Sequence, residues 1–236
     1  MKEKIYTIPL LDAYKTDCDC VFCYLEDKIV REELDYTLGD SMMEPDSRIQ
    51  SNETGFCAQH LKQLYDSGNR LSLALMISTH MEHLAAQLEQ AKVRENGKKG
   101  LFQKETEIAD LETLKKASSH CVICDKLAEA RGHYISVFYY LWEKEQGFQE
   151  TVRAARGMCI YHMTEILNGA GKQLKPAQAQ ELAKTLLQQQ KLALAEDIRK
   201  VKGFIDMFDY RNQGKDQSEF KEALPPALNR LRGKIL

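Results

Sequence analysis

Apolar residues recur at helical spacing along most of the chain. Leu187, Leu194, Val201 and Phe208 return every seventh position, with Ile198 and Ile205 four places after the second and third, so a single stripe runs along one long helix. Pro176 suits the first turn of that helix, and Asn212 and Gly214 suit its end. A second stripe through Leu73, Ile77, Met81, Leu84, Leu88 and Ala91 predicts another long helix between Asn69 and Arg94. Two further helices, about Phe22 to Leu38 and about Ile123 to Gln146, are each expected to open at a Cys-x-x-Cys motif. Gly39 to Ser51, with Pro45, and Asn168 to Lys175 read as loops. Strand-like alternation is missing, so the predicted fold class is all-α.

The motifs at these helix starts occur twice. Cys20-Val-Phe-Cys23 matches Cys121-Val-Ile-Cys124, and Gly55-Phe-Cys57-Ala-Gln-His60 matches Gly157-Met-Cys159-Ile-Tyr-His162. Cys121 follows Cys20 by 101 positions and Cys159 follows Cys57 by 102, so the two stretches keep register to within one residue. This predicts a pseudo-symmetric helical protein of two repeats, each too long for a solenoid unit. The first repeat is expected over 1–96, a linker over 97–104, the second repeat over 105–214 and a C-terminal extension over 215–236.

Composition narrows the class. With 236 residues, 43% hydrophobic and 29% charged, the chain can bury a core and is not of the disordered type. Lys and Arg number 33 against 35 Asp and Glu, a net charge of −2, which argues against a chain-wide nucleic-acid footprint. The lysines of Asn96-Gly97-Lys98-Lys99-Gly100 are read as a solvated connector, since no aromatic interleaving accompanies them. The apolar stretch near the N-terminus is broken by Thr7, Pro9 and Asp12, too short for a signal-peptide core, and no segment approaches the ~20 apolar residues of a membrane span. A cytoplasmic protein is expected, with its seven cysteines serving as ligands or free thiols rather than as a disulfide framework.

Thiolates and imidazoles suit zinc because both match its borderline-soft character, and four of them close a tetrahedral site. Each repeat supplies four. Two three-cysteine, one-histidine sites are therefore expected, formed by Cys20, Cys23, Cys57 and His60 and by Cys121, Cys124, Cys159 and His162, with pairing crossed between the repeats left open. Two structural zinc ions are the expected cofactors, since four protein ligands leave no position for a reactive water. Buried cysteines without metal, a redox dithiol at a helix N-terminus and an iron–sulfur cluster are the competing explanations. Cys18 faces Ser119 in the repeat register and reads as a spare thiol that could stand in for Cys20.

Other features have plainer explanations. His80 lies at the edge of an apolar stripe and reads as a hydrogen-bonded structural histidine, with His83 on the same face. His120, beside Cys121, could support a ligand. The cluster Phe138 to Trp142 reads as core. Gly169-Ala-Gly171-Lys172 lacks the first glycine and the final hydroxyl residue of a phosphate loop, so nucleotide binding is rejected, and no nucleophile elbow or His-Glu-x-x-His motif is present.

Taken with Phe208-Asp209-Tyr210-Arg211-Asn212, the paired cysteine and histidine motifs resemble a family of uncharacterised bacterial proteins, mainly from Firmicutes, catalogued as a domain of unknown function. The resemblance covers the chain from Cys20 to its C-terminal helix and implies no substrate or catalytic residue. The expected function is that of a zinc-stabilised interaction or regulatory protein rather than an enzyme, with an unknown protein partner and with neither nucleic acid nor membrane bound. A thiol-based redox or metal sensor is the first alternative. An enzyme with a pocket between the repeats, around His80, His83 and Tyr140, is the second.

Overall fold

A computed structural model describes residues 3–91, 112–212 and 216–233. The expected linker at 97–104, Arg94 and Gly214 lie outside the described residues. Every regular element among the described residues is a helix: α1 Glu3–Lys15, α2 Val21–Leu38, α3 Pro45–Thr54, α4 Ala58–Asp66, α5 Arg70–Gln90, α6 Glu112–Ser119, α7 Val122–Lys144, α8 Gln146–Ala154, α9 Ile160–Gln173, α10 Pro176–Asp206 and α11 Leu224–Arg232, with short 3-10 turns at Asp40–Met43, Tyr210–Asn212 and Ser218–Phe220. None of the described helices is long and apolar enough to cross a membrane.

Two expected loops are helices. Pro45 sits in the first turn of α3, where a missing amide proton and a fixed φ favour initiation, so Gly39–Ser51 gives way to a 3-10 turn and then α3. Asn168–Lys175 mostly continues α9, which ends at Gln173. Gly169 does not stop this helix: it lets Tyr139 approach, since a Cβ there would lie 2.5 Å from the Tyr139 hydroxyl oxygen. The N-terminal stretch that read as broken forms α1 with Pro9 inside it, and buries Leu10 and Ala13.

The chain divides into two compact units, residues 1–28 with 130–236 and residues 29–129. These limits differ from the division by repeats, because α2 and α7 each begin in one unit and continue into the other. The larger unit has an aromatic core. Trp142 and Phe138 are fully buried, Phe138 packs on Phe22 and Phe148, and Tyr14 meets Phe148 edge-on at 5.3 Å. Leu10, Leu25, Ile166, Leu182 and Leu186 complete it, so the dense aromatic cluster of the sequence is core as expected except for Tyr140, which is exposed.

The smaller unit buries fewer apolar groups, chiefly Leu38, Leu64, Met76, Val122 and Ile123. Much of its packing is polar. The Arg48 guanidinium donates to Thr79 Oγ1 at 2.9 Å, that hydroxyl donates to Asn52 Oδ1 at 2.9 Å, and His80 Nδ1 donates to the Asn52 carbonyl at 2.8 Å. α5 starts where Asn69 predicted, the Asn69 side chain accepting from the Ser72 amide. Its buried positions are Ser72 and Met76, next to the apolar stripe rather than on it, because the polar face through Thr79 and His80 is used to hold α3.

Candidate metal centres

All eight expected ligands gather into two groups of four, but across the repeats. Cys20, Cys23, Cys159 and His162 form one group, here centre I, and Cys57, His60, Cys121 and Cys124 form the other, centre II; within each, the ligand atoms lie within 4.8 Å of one another. The expected pairing within repeats is thus replaced by the crossed one. Centre I falls wholly in the larger unit and centre II wholly in the smaller.

Helix starts make this convergence possible. Cys20 and Cys121 immediately precede α2 and α7, and their carbonyls accept the first amides of those helices, from Tyr24 at 3.0 Å and Asp125 at 2.9 Å. Cys57 and Cys159 cap α4 and α9 with nearly the same backbone, φ −72° and ψ 163° against φ −68° and ψ 159°. Gly55 and Gly157, two residues earlier, both take positive φ, 70° and 97°, which turns the chain into each cap. The second cysteine or the histidine of each motif then lies one turn on, facing the same side. Each centre collects two helix N-termini, whose dipoles favour thiolates.

In each centre four of the six spacings between the ligand atoms match the edges of a tetrahedron, and the other two are within 4.8 Å. Three sulfurs about 2.3 Å and one nitrogen about 2.0–2.1 Å from a central zinc are separated by edges of about 3.8 Å between sulfurs and about 3.5 Å from sulfur to nitrogen. In centre I the Cys23 and Cys159 sulfurs are 3.6 Å apart, and His162 Nδ1 is 3.5, 3.4 and 3.2 Å from the sulfurs of Cys20, Cys23 and Cys159. In centre II the Cys57 and Cys124 sulfurs are 3.8 Å apart, and His60 Nδ1 is 3.3, 3.3 and 3.4 Å from those of Cys57, Cys121 and Cys124. No disulfide links the seven cysteines.

The thiols and the imidazole of centre I shift one another's titration. Hydrogen bonds with Cys159 and Cys20, then burial, push the Cys23 thiol up, whereas hydrogen bonds from Cys20 and Cys23 hold Cys159 down. Burial alone would lower His162, but its contacts with Cys159, Cys20 and Glu26 raise it to about 12. Negative charge crowded into such a buried site can be balanced by a proton or by a metal ion, and the four converging donors suit either.

The two centres differ in their surroundings. In centre I all four ligands are buried, Cys159 at 0% and His162 at 1% exposure. His162 Nε2 meets Glu26 Oε1 at 3.1 Å, Arg131 pairs with the same carboxylate and also donates to the Tyr161 hydroxyl at 2.6 Å, and Phe22 stacks on the imidazole with centroids 5.4 Å apart. A carboxylate behind a ligating imidazole fixes its tautomer and raises its basicity. Gly233, just after α11, also lies against this centre, since a Cβ there would come within 3.5 Å of the Cys23 sulfur. In centre II, Cys57 and Cys124 are only half-buried. No carboxylate among the described residues stands at His60 Nε2; in the 101-residue register Leu127 takes the place of Glu26. A backbone bond from the Val122 amide to the Gly55 carbonyl, 3.1 Å, holds its two motifs together.

The remaining candidates stay outside both groups. Cys18 is half-buried with its thiol 4.0 Å from the Ala13 carbonyl, and burial followed by the charge of Cys20 raises it to about 11, so it is neither a ligand nor an activated thiol. His80 is bonded to Asn52 and His83 joins no cluster. His120 contacts Asp125 at 3.3 Å on the surface, away from a supporting role, and His133 stacks on Tyr6. Gly169 to Lys172 lies within α9 and forms no phosphate loop. Glu26 and Arg131 were missed in the sequence; an acid three residues after Cys23, one turn along the same helix, was the available signal.

No curated protein and no solved structure matches this chain. A family model does match, over residues 1–236, and the chain belongs to that family of unknown function, DUF6062.

Proposed function

We propose that each centre holds one zinc ion as a closed structural site, and that the protein is an interaction or regulatory protein rather than an enzyme. The observation that carries this is the convergence of three sulfurs and one imidazole nitrogen, twice, all within 4.8 Å, with one sulfur–sulfur and three sulfur–nitrogen spacings in each group at the edge lengths of a zinc tetrahedron. Four protein ligands leave zinc without an open position for water, so its role is to join distant stretches of chain: α2 to α9 in centre I and α4 to α7 in centre II. Free thiols throughout suit a reducing compartment such as the cytoplasm. Apolar groups left open at the far end of α10 and just beyond it, Ile198, Ile205 and Phe208 at 53%, 62% and 77% exposure, support the interaction role.

Metal analysis of protein purified without added metal tests the assignment. Two zinc ions per chain are expected. Less than one, with an iron chromophore or a reversible disulfide in its place, overturns it. Detection of a catalytic turnover retained after removal of bound partners counts against the interaction role.

The alternative of a thiol-based or metal sensor is favoured by one observation, the half-exposure of Cys57 and Cys124 in centre II.

A further inference from the structure

We infer that centre II is an exchangeable metal site whose occupancy decides whether residues 29–129 are folded, while centre I keeps its ion. The inference rests on the zinc assignment above and adds regulation to it.

Three observations carry it. First, access differs. A competing ligand reaches a metal thiolate site through an exposed edge, and in centre II that edge is Cys57 and Cys124, both half-buried with sulfurs 3.8 Å apart. Every ligand of centre I is buried, and Gly233 lies against its sulfurs. Second, support differs. His162 is backed by Glu26 and Arg131, whereas His60 has no carboxylate among the described residues, and such outer partners are worth roughly 10–100-fold in metal affinity. Third, what depends on each ion differs. The larger unit has a core of fully buried Trp142, Phe138, Leu10, Ile166, Leu182 and Leu186. The smaller unit has a thin apolar core and a polar α3–α5 interface, and small units of this kind draw their folding free energy from the metal.

Exchange is a ligand substitution without redox. A donor atom of the incoming chelator bonds to zinc as the zinc–sulfur bonds to Cys57 and Cys124 break. The remaining two protein ligands follow, the ion leaves with the chelator, and the thiolates take protons from water. Residues 29–129 then lose their tie between α4 and α7.

The test uses the full-length chain carrying two zinc ions, mixed with excess 4-(2-pyridylazo)resorcinol. Zinc release is followed by absorbance and backbone protection by hydrogen exchange with mass spectrometry. The expected result is biphasic release, with one ion leaving about tenfold faster or more. Peptides from 29–91 and 112–129 lose protection with the fast phase, and those from 130–212 keep it. Cys124→Ser removes the fast phase alone, and Glu26→Gln speeds the slow phase about 10–100-fold. Release of both ions at one rate overturns the inference and leaves the zinc assignment standing, as does fast release with residues 29–129 still protected. The wild-type release and protection data decide this even if a variant does not fold. A starting protein with less than one zinc removes the zinc assignment and the inference with it.

Discussion

At Gly55 the backbone takes φ 70°, and a Cβ there would lie 2.7 Å from His80 Nε2. Gly157 occupies the same place in the second motif with φ 97°, but its nearest side-chain atom would be 3.8 Å away. Gly157→Ala should therefore cost only the backbone term of about 1–2 kcal/mol, and Gly55→Ala more, read from the shift in the urea midpoint of the zinc-loaded protein. His80→Ala added to Gly55→Ala should recover the steric part, and additive costs would show that the contact does not matter. Cys18→Ser should leave two zinc ions bound, whereas Cys20→Ser should lose the ion of centre I; metal content after dialysis distinguishes them. The eight residues that gather into the two groups were legible because the chemistry of cysteine and histidine is carried by residue type and local spacing. Their partners were not: the intervals Cys23 to Cys57 and Cys124 to Cys159 are nearly equal, and nothing in either motif says which copy of the other it will meet. That choice is made by packing far from the motif, such as Phe22 against both Phe138 and His162.

Among the helices, periodicity located the long ones well and the short polar ones poorly. α10 begins at Pro176 as expected but ends at Asp206, and α2 and α7 open at their cysteine motifs. α3 has no apolar stripe and α1 contains a proline, so neither carries the pattern by which helices are recognised; both form because neighbours bury Leu10 and Ala13, or bond Asn52. The same limit explains the second half of the α10 stripe, which is regular in sequence yet open in the structure. Ile205→Glu should change stability by about 0.5 kcal/mol or less, measured by thermal unfolding; a larger loss would place Ile205 in a core. α11 is held differently. Arg230, 6% exposed, is paired with Asp197 on α10, 13% exposed. Arg230→Met leaves a buried carboxylate alone and should cost about 3–5 kcal/mol, while the double variant with Asp197→Leu should recover much of it. An additive double variant would mean that the pair is not coupled.

For the whole chain, the helical class followed from pattern alone, whereas the compact units did not follow from the repeats. The reason is that α2 and α7 continue from one unit into the other, so the boundaries expected from the sequence repeat do not coincide with those of the units. Stripping both ions should lower the unfolding free energy by several kcal/mol, with recovery on adding zinc, followed by circular dichroism. Unchanged stability would mean that the clusters are packing alone. The order of the ligands along the chain has a further consequence. The stretch bracketed by centre II, from Cys57 to Cys124, is nested inside the one bracketed by centre I, from Cys20 to His162. If both centres hold metal as proposed, the inner set of donors leaves the ribosome before the outer set is complete, and assembly from inside outward is the expected order. Closure of the inner bracket by metal would also shorten the free tether between Cys23 and Cys159 and so lower the entropic cost of closing the outer one.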